Sequence, residues 1–239
     1  MKFLLFLFLF VGCCEQDNLN SKIEHSKSDT FFQYASKEDL LVGNFEGNLL
    51  IGGLKEKGDF GIGTINNIDG EMLILDNNFY SIKSSGDVIS LEDSVKIPYA
   101  NVKFFDADTV FSLKNNMRLT KLHSYLSNVI PANKIAAVKV EGSFKYIKSR
   151  SIDSQTKPYP PLSKVIEEQT VFEFETTEGT IVGFYIPEYL EGLNFPGYHF
   201  HFLKKDLSGG GHLLDCVVDS VNISLDYTSK LEFDLELTN

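Results

Sequence analysis

The sequence predicts a β-rich α+β fold with a few short helices, and three observations lead there. Aromatic residues make up 13% of the chain, carried by 20 Phe and 10 Tyr with no Trp, a composition suited to pleated, half-buried surfaces. Residues 136–150 alternate, with Val138, Val140, Phe144 and Tyr146 on one face and Lys139, Glu141, Ser143 and Lys145 on the other. Extended helical spacing occurs in residues 117–130, through Leu119, Leu122, Leu126 and Val129. The chain has 239 residues, 43% hydrophobic and 23% charged, enough to bury a core, so wholesale disorder and a short disulfide-stapled scaffold are excluded. With 22 Lys and Arg against 33 Asp and Glu, the formal charge of -11 argues against a surface built for nucleic acid phosphates. An anionic substrate would need a local exception.

Met1 and Lys2 precede nine apolar residues, 3–11, then Gly12, Cys13 and Cys14. Nine residues are too few to span a ~30 Å hydrocarbon core as a helix, and the pattern reads as a secretory signal over residues 1–12. The run Phe10-Val11-Gly12-Cys13 resembles a bacterial lipoprotein signal, which implies lipidation at Cys13, export and membrane attachment through that anchor alone. Residues 13–30 are polar and read as a flexible tether, in which His25 is solvated. Two domains are expected beyond it, over residues 31–132 and 133–239.

In the first, Ser36 with Asp39 three positions later reads as the N-cap of a helix running to about Phe45. Glycines at 47, 52, 53, 58, 61, 63 and 70 suit tight turns and close backbone approach better than helix. Strands are expected at 71–76, 79–82 and 102–106, and His123 on the 117–130 helix reads as a surface or packing residue. In the second, continuing the 136–150 alternation puts Lys148 and Arg150 on the apolar face. Either the strand continues and these cations need buried partners, or it has ended and both are solvated. Pro158, Pro160 and Pro161 stop regular structure. A short helix at 162–169 follows, then strands at 171–175 and 180–187 joined at Glu178-Gly179. Cys216, in an apolar run, reads as a small buried hydrophobe.

The chemistry concentrates in residues 196–212. In a strand His199 and His201 share one face while Phe200 and Phe202 take the other. The turn sequence Asp206-Leu-Ser-Gly-Gly-Gly211 would fold a hairpin that returns His212 beside them. Three neutral imidazoles then converge on one ion, with nitrogen–zinc distances of ~2.0–2.1 Å and open positions for substrate, as in a catalytic zinc site. A cupin motif would place Glu four positions after the second histidine, where this chain has Lys205.

Several separated segments share their order and spacing with bacterial α-acetolactate decarboxylases. They include Gly58-Asp-Phe-Gly-Ile-Gly-Thr64, Asp69-Gly-Glu71, Val138-Lys-Val-Glu-Gly-Ser-Phe144, Lys148-Ser-Arg150, Lys157-Pro-Tyr-Pro-Pro161, Gly179-Thr-Ile-Val-Gly-Phe-Tyr185 and the three-histidine segment. The resemblance covers residues 31–235 and implies a zinc enzyme (Zn2+) converting (S)-2-acetolactate to (R)-acetoin and carbon dioxide. It further implies two domains on mixed or antiparallel sheets, a homodimer, metal ligation by His199, His201 and His212, and Arg150 and Glu71 as catalytic residues; the Thr64 hydroxyl, in the glycine-rich segment, is expected to contact substrate or a bound water. The family's C-terminal glutamate has no clear counterpart, Glu232 and Glu236 being the candidates. Two rivals differ in outcome: a lipid-anchored zinc-binding module would release no carbon dioxide, and a zinc hydrolase would incorporate water into its product.

Overall fold

The computed structural model describes residues 29–235; Cys13, Cys14, His25 and Glu236, with the signal and most of the tether, lie outside them. Strand β1 (Thr30–Tyr34) leads into helix α1 (Lys37–Val42). The expected capping box is present: Ser36 Oγ accepts from Asp39 N–H at 3.1 Å, and the Asp39 carboxylate accepts from Ser36 N–H at 3.2 Å. Gly43, in the left-handed conformation (φ 95°), ends the helix at Val42, short of Phe45.

Strand β2 (Leu49–Leu50) runs into a single helical turn, α2 (Ile51–Leu54), which includes Gly52 and Gly53. The expectation of turns without helix is corrected here, because burial of Ile51 and Leu54 beneath the sheet outweighs two poor helix formers. The close-approach reading holds at Gly61, where a Cβ would stand 2.2 Å from the Asn101 carbonyl oxygen. Strands β3 (Phe60–Thr64), β4 (Glu71–Leu75), β5 (Asn78–Ile82), β6 (Val88–Ser90), β7 (Lys96–Ile97) and β8 (Tyr99–Lys103) follow. The strand expected at 102–106 is thus displaced toward the N-terminus, its register set by Gly61 facing Val102 and Thr64 facing Tyr99.

Strand β9 (Thr109–Leu113) precedes β10 (Met117–Arg118) and the amphipathic helix α3 (Leu119–Val129), which buries Leu122 and Leu126. Met117 and Arg118 pair with Val218 and Val217, so the helix begins two residues later than the spacing alone suggests. Strand β11 (Ile135–Ser151), helix α4 (Leu162–Glu167), strands β12 (Thr170–Ile186), β13 (Gly197–Lys204), β14 (Gly210–Thr228) and β15 (Lys230–Asp234) complete the chain. The two strands expected around Glu178-Gly179 are one, because Gly179 pairs with Gly142 on one side and Lys204 on the other.

Seven strands form a mixed sheet in the order β15-β1-β8-β3-β4-β5-β6, with β15 parallel to β1. In the second sheet β14 pairs with both β11 and β13, and β12 links those two, so the four ladders form a closed circuit; β9 and β10 add to β14. The sheets share a core in which Phe31, Phe60, Ile62 and Leu73 meet Ala137, Val182, Phe184 and Leu203. On the far side of the second sheet, α3 covers Val138, Val140, Phe144, Phe200, Cys216 and Ile223. A buried ion pair, Lys103 with Asp226, ties β8 to β14.

Candidate metal centre

The β13–β14 hairpin forms as the turn sequence requires: Ser208 N–H donates to Asp206 Oδ1 at 3.0 Å, and Lys204 N–H to the Gly209 carbonyl at 3.0 Å. His201 then lies directly opposite His212, and His212 directly opposite Arg150 on β11. Residues directly opposite on paired strands share a face, so Arg150, His212 and His201 form a row across three strands, with His199 beside it two positions along β13. Phe200 and Phe202 point the other way, into the core that includes α3 residues. The histidine face looks into the space between the sheets, where Leu203 continues it as core.

Among the described residues, His199, His201 and His212 are the group able to hold a metal ion, their ligand atoms all within 4.8 Å of one another. Among the described residues, no hydrogen-bond partner is found for one buried ring nitrogen of each: Nδ1 of His199, Nε2 of His201 and Nδ1 of His212. The opposite nitrogen of His201, Nδ1, is 2.8 Å from the Met72 carbonyl oxygen on β4. As a donor to that carbonyl, Nδ1 fixes the tautomer and leaves the Nε2 lone pair free for a ligand. Burial pushes His199 and His201 down to about 3 and His212 well below its ordinary value. The rings are therefore neutral at pH 7, the form that binds a metal. Orphaned, neutral and convergent nitrogens fit a divalent ion.

Glu71, at the start of β4, accepts a hydrogen bond from Arg150 Nη1 through Oε1, while its Oε2 stands 3.3 Å from His201 Nε2. Burial raises the Glu71 carboxyl above the usual carboxylate range, and Arg150 opposes that shift. Thr64, on β3, lies at the same cleft, but its hydroxyl donates to the Gly70 carbonyl at 2.8 Å, so it faces the cavity as an acceptor.

Lys148 and Arg150 part company. The residue skipped at Lys145 reverses the alternation of β11 once, so that Ile147, Ser149 and Ser151 are buried while Lys148 and Arg150 share the other face. Of the two readings, the strand continues, through Ser151, but only Arg150 gains a buried partner, Glu71; Lys148 is half-buried and pairs with Glu173 at 3.2 Å. A β-bulge re-aims side chains in this way. His123 packs on the opposite face of β13, stacked on Tyr198 at 4.5 Å. Glu232 does not reach the site, being held on β15 by Lys57 at 2.5 Å.

The cleft has a volume of about 310 Å³. Its polar lining is Thr64, Glu71, Arg150, His199 and His212, with Tyr198 beside them; the rest is apolar, with Leu40 from α1, Leu162 and Ile166 from α4, and Ile68, Ile152, Phe195 and Pro196. These apolar residues come from distant segments and carry no local motif, so sequence inspection missed them. Asp-Gly-Glu71 stands out only through the family pattern, whereas Arg150 is also marked by the alternation of residues 136–150.

A family model described as alpha-acetolactate decarboxylase matches residues 31–239. The alpha-acetolactate decarboxylase of Methanosarcina mazei is 42% identical over 220 residues, covering 92% of this chain and 76% of that protein. That of Brevibacillus brevis is 40% identical, covering 87% and 73%. The crystal structure of alpha-acetolactate decarboxylase from Bacillus subtilis strain 168 superposes with a TM-score of 0.86 at 30% identity, over 87% of this chain and 90% of that one. Shared sequence over nearly the whole described length and a shared fold agree, and the chain belongs to the alpha-acetolactate decarboxylase family.

Proposed function

We propose that the chain converts (S)-2-acetolactate to (R)-acetoin and carbon dioxide, using a zinc ion held by His199, His201 and His212. The observation that carries this reading is the convergence of three neutral, partnerless imidazole nitrogens beside the Arg150–Glu71 pair. When bound, zinc supplies a Lewis-acid sink for the electron pair released as the carboxylate departs from a β-keto acid.

The chain's own residues do the rest. On a molecule of net charge -11, the Arg150 guanidinium is the local exception that draws the acetolactate anion into the cleft. As charge moves from the carboxylate to the ketone oxygen, a fixed guanidinium stabilises the later distribution more than the earlier one. Glu71 holds Arg150 through Oε1. Its Oε2, turned toward the histidines and on a carboxyl raised by burial, is the atom that carries the proton delivered to the new carbon. Leu40, Ile68, Ile152, Leu162 and Ile166 receive the two methyl groups and keep water away, which strengthens the electrostatics inside.

Racemic acetolactate given to the purified, zinc-loaded chain tests this, with acetoin measured by colour formation. Acetoin is expected from the loaded chain, falling by on the order of 100-fold or more after chelation or in His199→Ala. No acetoin from loaded protein overturns the decarboxylase reading; undiminished acetoin from His199→Ala overturns the metal's role. Export on a lipidated Cys13 belongs to the same proposal and rests on the leader pattern: Cys13→Ser is expected to move the enzyme from the membrane fraction to the soluble one. The homodimer rests on the family, and sedimentation of the purified chain reads it.

A further inference from the structure

Asn194 sits between the 3₁₀ turn Glu188–Leu190 and β13, in the segment that brings the cleft wall to the first histidine. It is 1% exposed, and its amide is fully used. Nδ2 donates to Gln33 Oε1 at 2.8 Å and to Asn101 Oδ1 at 3.1 Å. Oδ1 accepts from the Tyr99 hydroxyl at 3.1 Å and from the Phe195 backbone N–H at 2.6 Å. The partners are locked in turn. Gln33 Nε2 donates to the carbonyls of Leu193 at 2.8 Å and Ala35 at 2.9 Å, and Asn101 Nδ2 donates to the Tyr99 hydroxyl at 3.1 Å. Gln33, Tyr99 and Asn101 are all buried.

This network lies among apolar neighbours: Tyr99 belongs to the cluster of Leu40, Phe45, Ile68, Ile152 and Leu162, against which Phe195 packs. Buried amides are costly unless every group is paired, and a fully paired network admits one arrangement where apolar packing would admit several. What that arrangement fixes is Phe195. Its N–H is bound by Asn194, and its ring is edge-on to Tyr99 (centroids 6.2 Å apart, 77°) and edge-on to His199 (5.9 Å, 83°). Such edge contacts are directional. The network therefore ends one ring away from the partnerless nitrogen of His199, and Phe195 is itself cleft wall.

We propose that Asn194, with Gln33, Tyr99 and Asn101, is a buried clamp that sets Phe195 and through it the His199 ring and the wall of the cleft. Asn194 is thus a positioning residue for the decarboxylation, a statement that rests on His199 being a metal ligand.

Three variants of the full chain test it. Tyr99→Phe keeps the ring and removes one hydroxyl, Asn194→Asp keeps the acceptor for Phe195 N–H and removes both donors, and Asn194→Ala removes everything. Cobalt(II) titration followed by visible absorption reports the histidine site without turnover. The steady-state constants for acetolactate and the thermal midpoint are measured beside it. Outer partners of metal ligands alter metal affinity by about 10–100-fold, so Tyr99→Phe and Asn194→Asp are expected to weaken cobalt binding on the order of 10-fold and to raise KM more than they lower kcat. Ile223→Val, in the core at the other end of β14, serves as control: it lowers the thermal midpoint and leaves cobalt affinity and KM at wild-type values. Folded Tyr99→Phe and Asn194→Asp proteins with wild-type cobalt affinity, spectrum and KM overturn the clamp. If the Asn194 variants do not fold, Tyr99→Phe alone decides. A wild-type chain that takes up no cobalt contradicts the metal reading, and the KM comparison then decides the clamp.

Discussion

His199, His201 and His212 are kept neutral by burial, and that has a measurable cost in stability. In the unfolded chain the same rings take up protons near pH 6.5. In the folded, metal-free chain His199 and His201 resist protonation down to about 3, and His212 is lowered likewise. Below about pH 6.5 the unfolded state thus binds protons that the folded state refuses. Stability of the metal-free protein falls as pH drops through that window, by up to ~1.4 kcal/mol per pH unit for each ring. The urea midpoint of chelated protein is accordingly lower at pH 5 than at pH 7, and equal midpoints would contradict buried neutral imidazoles. Arg150 yields a second prediction at this scale. Lysine offers one point charge where the guanidinium offers a planar fork, so Arg150→Lys leaves the ion pair with Glu71 but misplaces the charge relative to substrate. A loss on the order of 100-fold in kcat/KM is expected, measured by acetoin formation, with the folded stability little changed.

At the scale of elements, the hairpin of β13 and β14 and the bulged strand β11 bring the site together. Gly211 is the joint between them: its φ is 124°, and a Cβ there would stand 2.3 Å from the Arg150 carbonyl oxygen. Gly211→Ala therefore forces β14 away from β11 at the pair Arg150–His212, with an expected destabilisation of about 2–4 kcal/mol and weaker metal uptake, read by urea unfolding and metal titration. Much of this region was legible in the sequence. The period of two in His199-Phe-His201 and the turn run before His212 are local signals, as are Ser36 with Asp39 and the Leu spacing of α3. What was hidden depends on partners far along the chain. The bulge at Lys145 that turns Arg150 toward Glu71 arises from how β11 registers on β14. A single continuous β12 follows from the pairing of Gly179 on both sides. The apolar cleft wall joins α1, α4 and Phe195, and the Asn194 network joins β1 and β8 to the β13 approach. No local period marks any of these.

Across the whole molecule, the candidate metal site lies where the two sheets face each other, with β4 supplying Glu71 and the Met72 carbonyl to histidines of the other sheet. Its geometry depends on the sheets staying in register, and the pair Lys103–Asp226 is a fully buried polar tie between them. Burial pushes Asp226 up to about 6 and lowers Lys103, yet each keeps the other as its principal charged partner. Lys103→Met strands a buried carboxyl and is expected to cost about 3–5 kcal/mol, most of it regained when Asp226→Leu is added; urea unfolding of the single and double variants measures both. In the proposed function, one divalent ion at the three histidines makes this acidic chain a decarboxylase. Adding zinc stepwise to chelated protein and following acetoin from acetolactate tests it most directly. Activity is expected to rise in proportion to zinc and to saturate near one equivalent per chain, whereas full activity in the chelated protein, or no activity at any zinc level, overturns the proposed role of the ion.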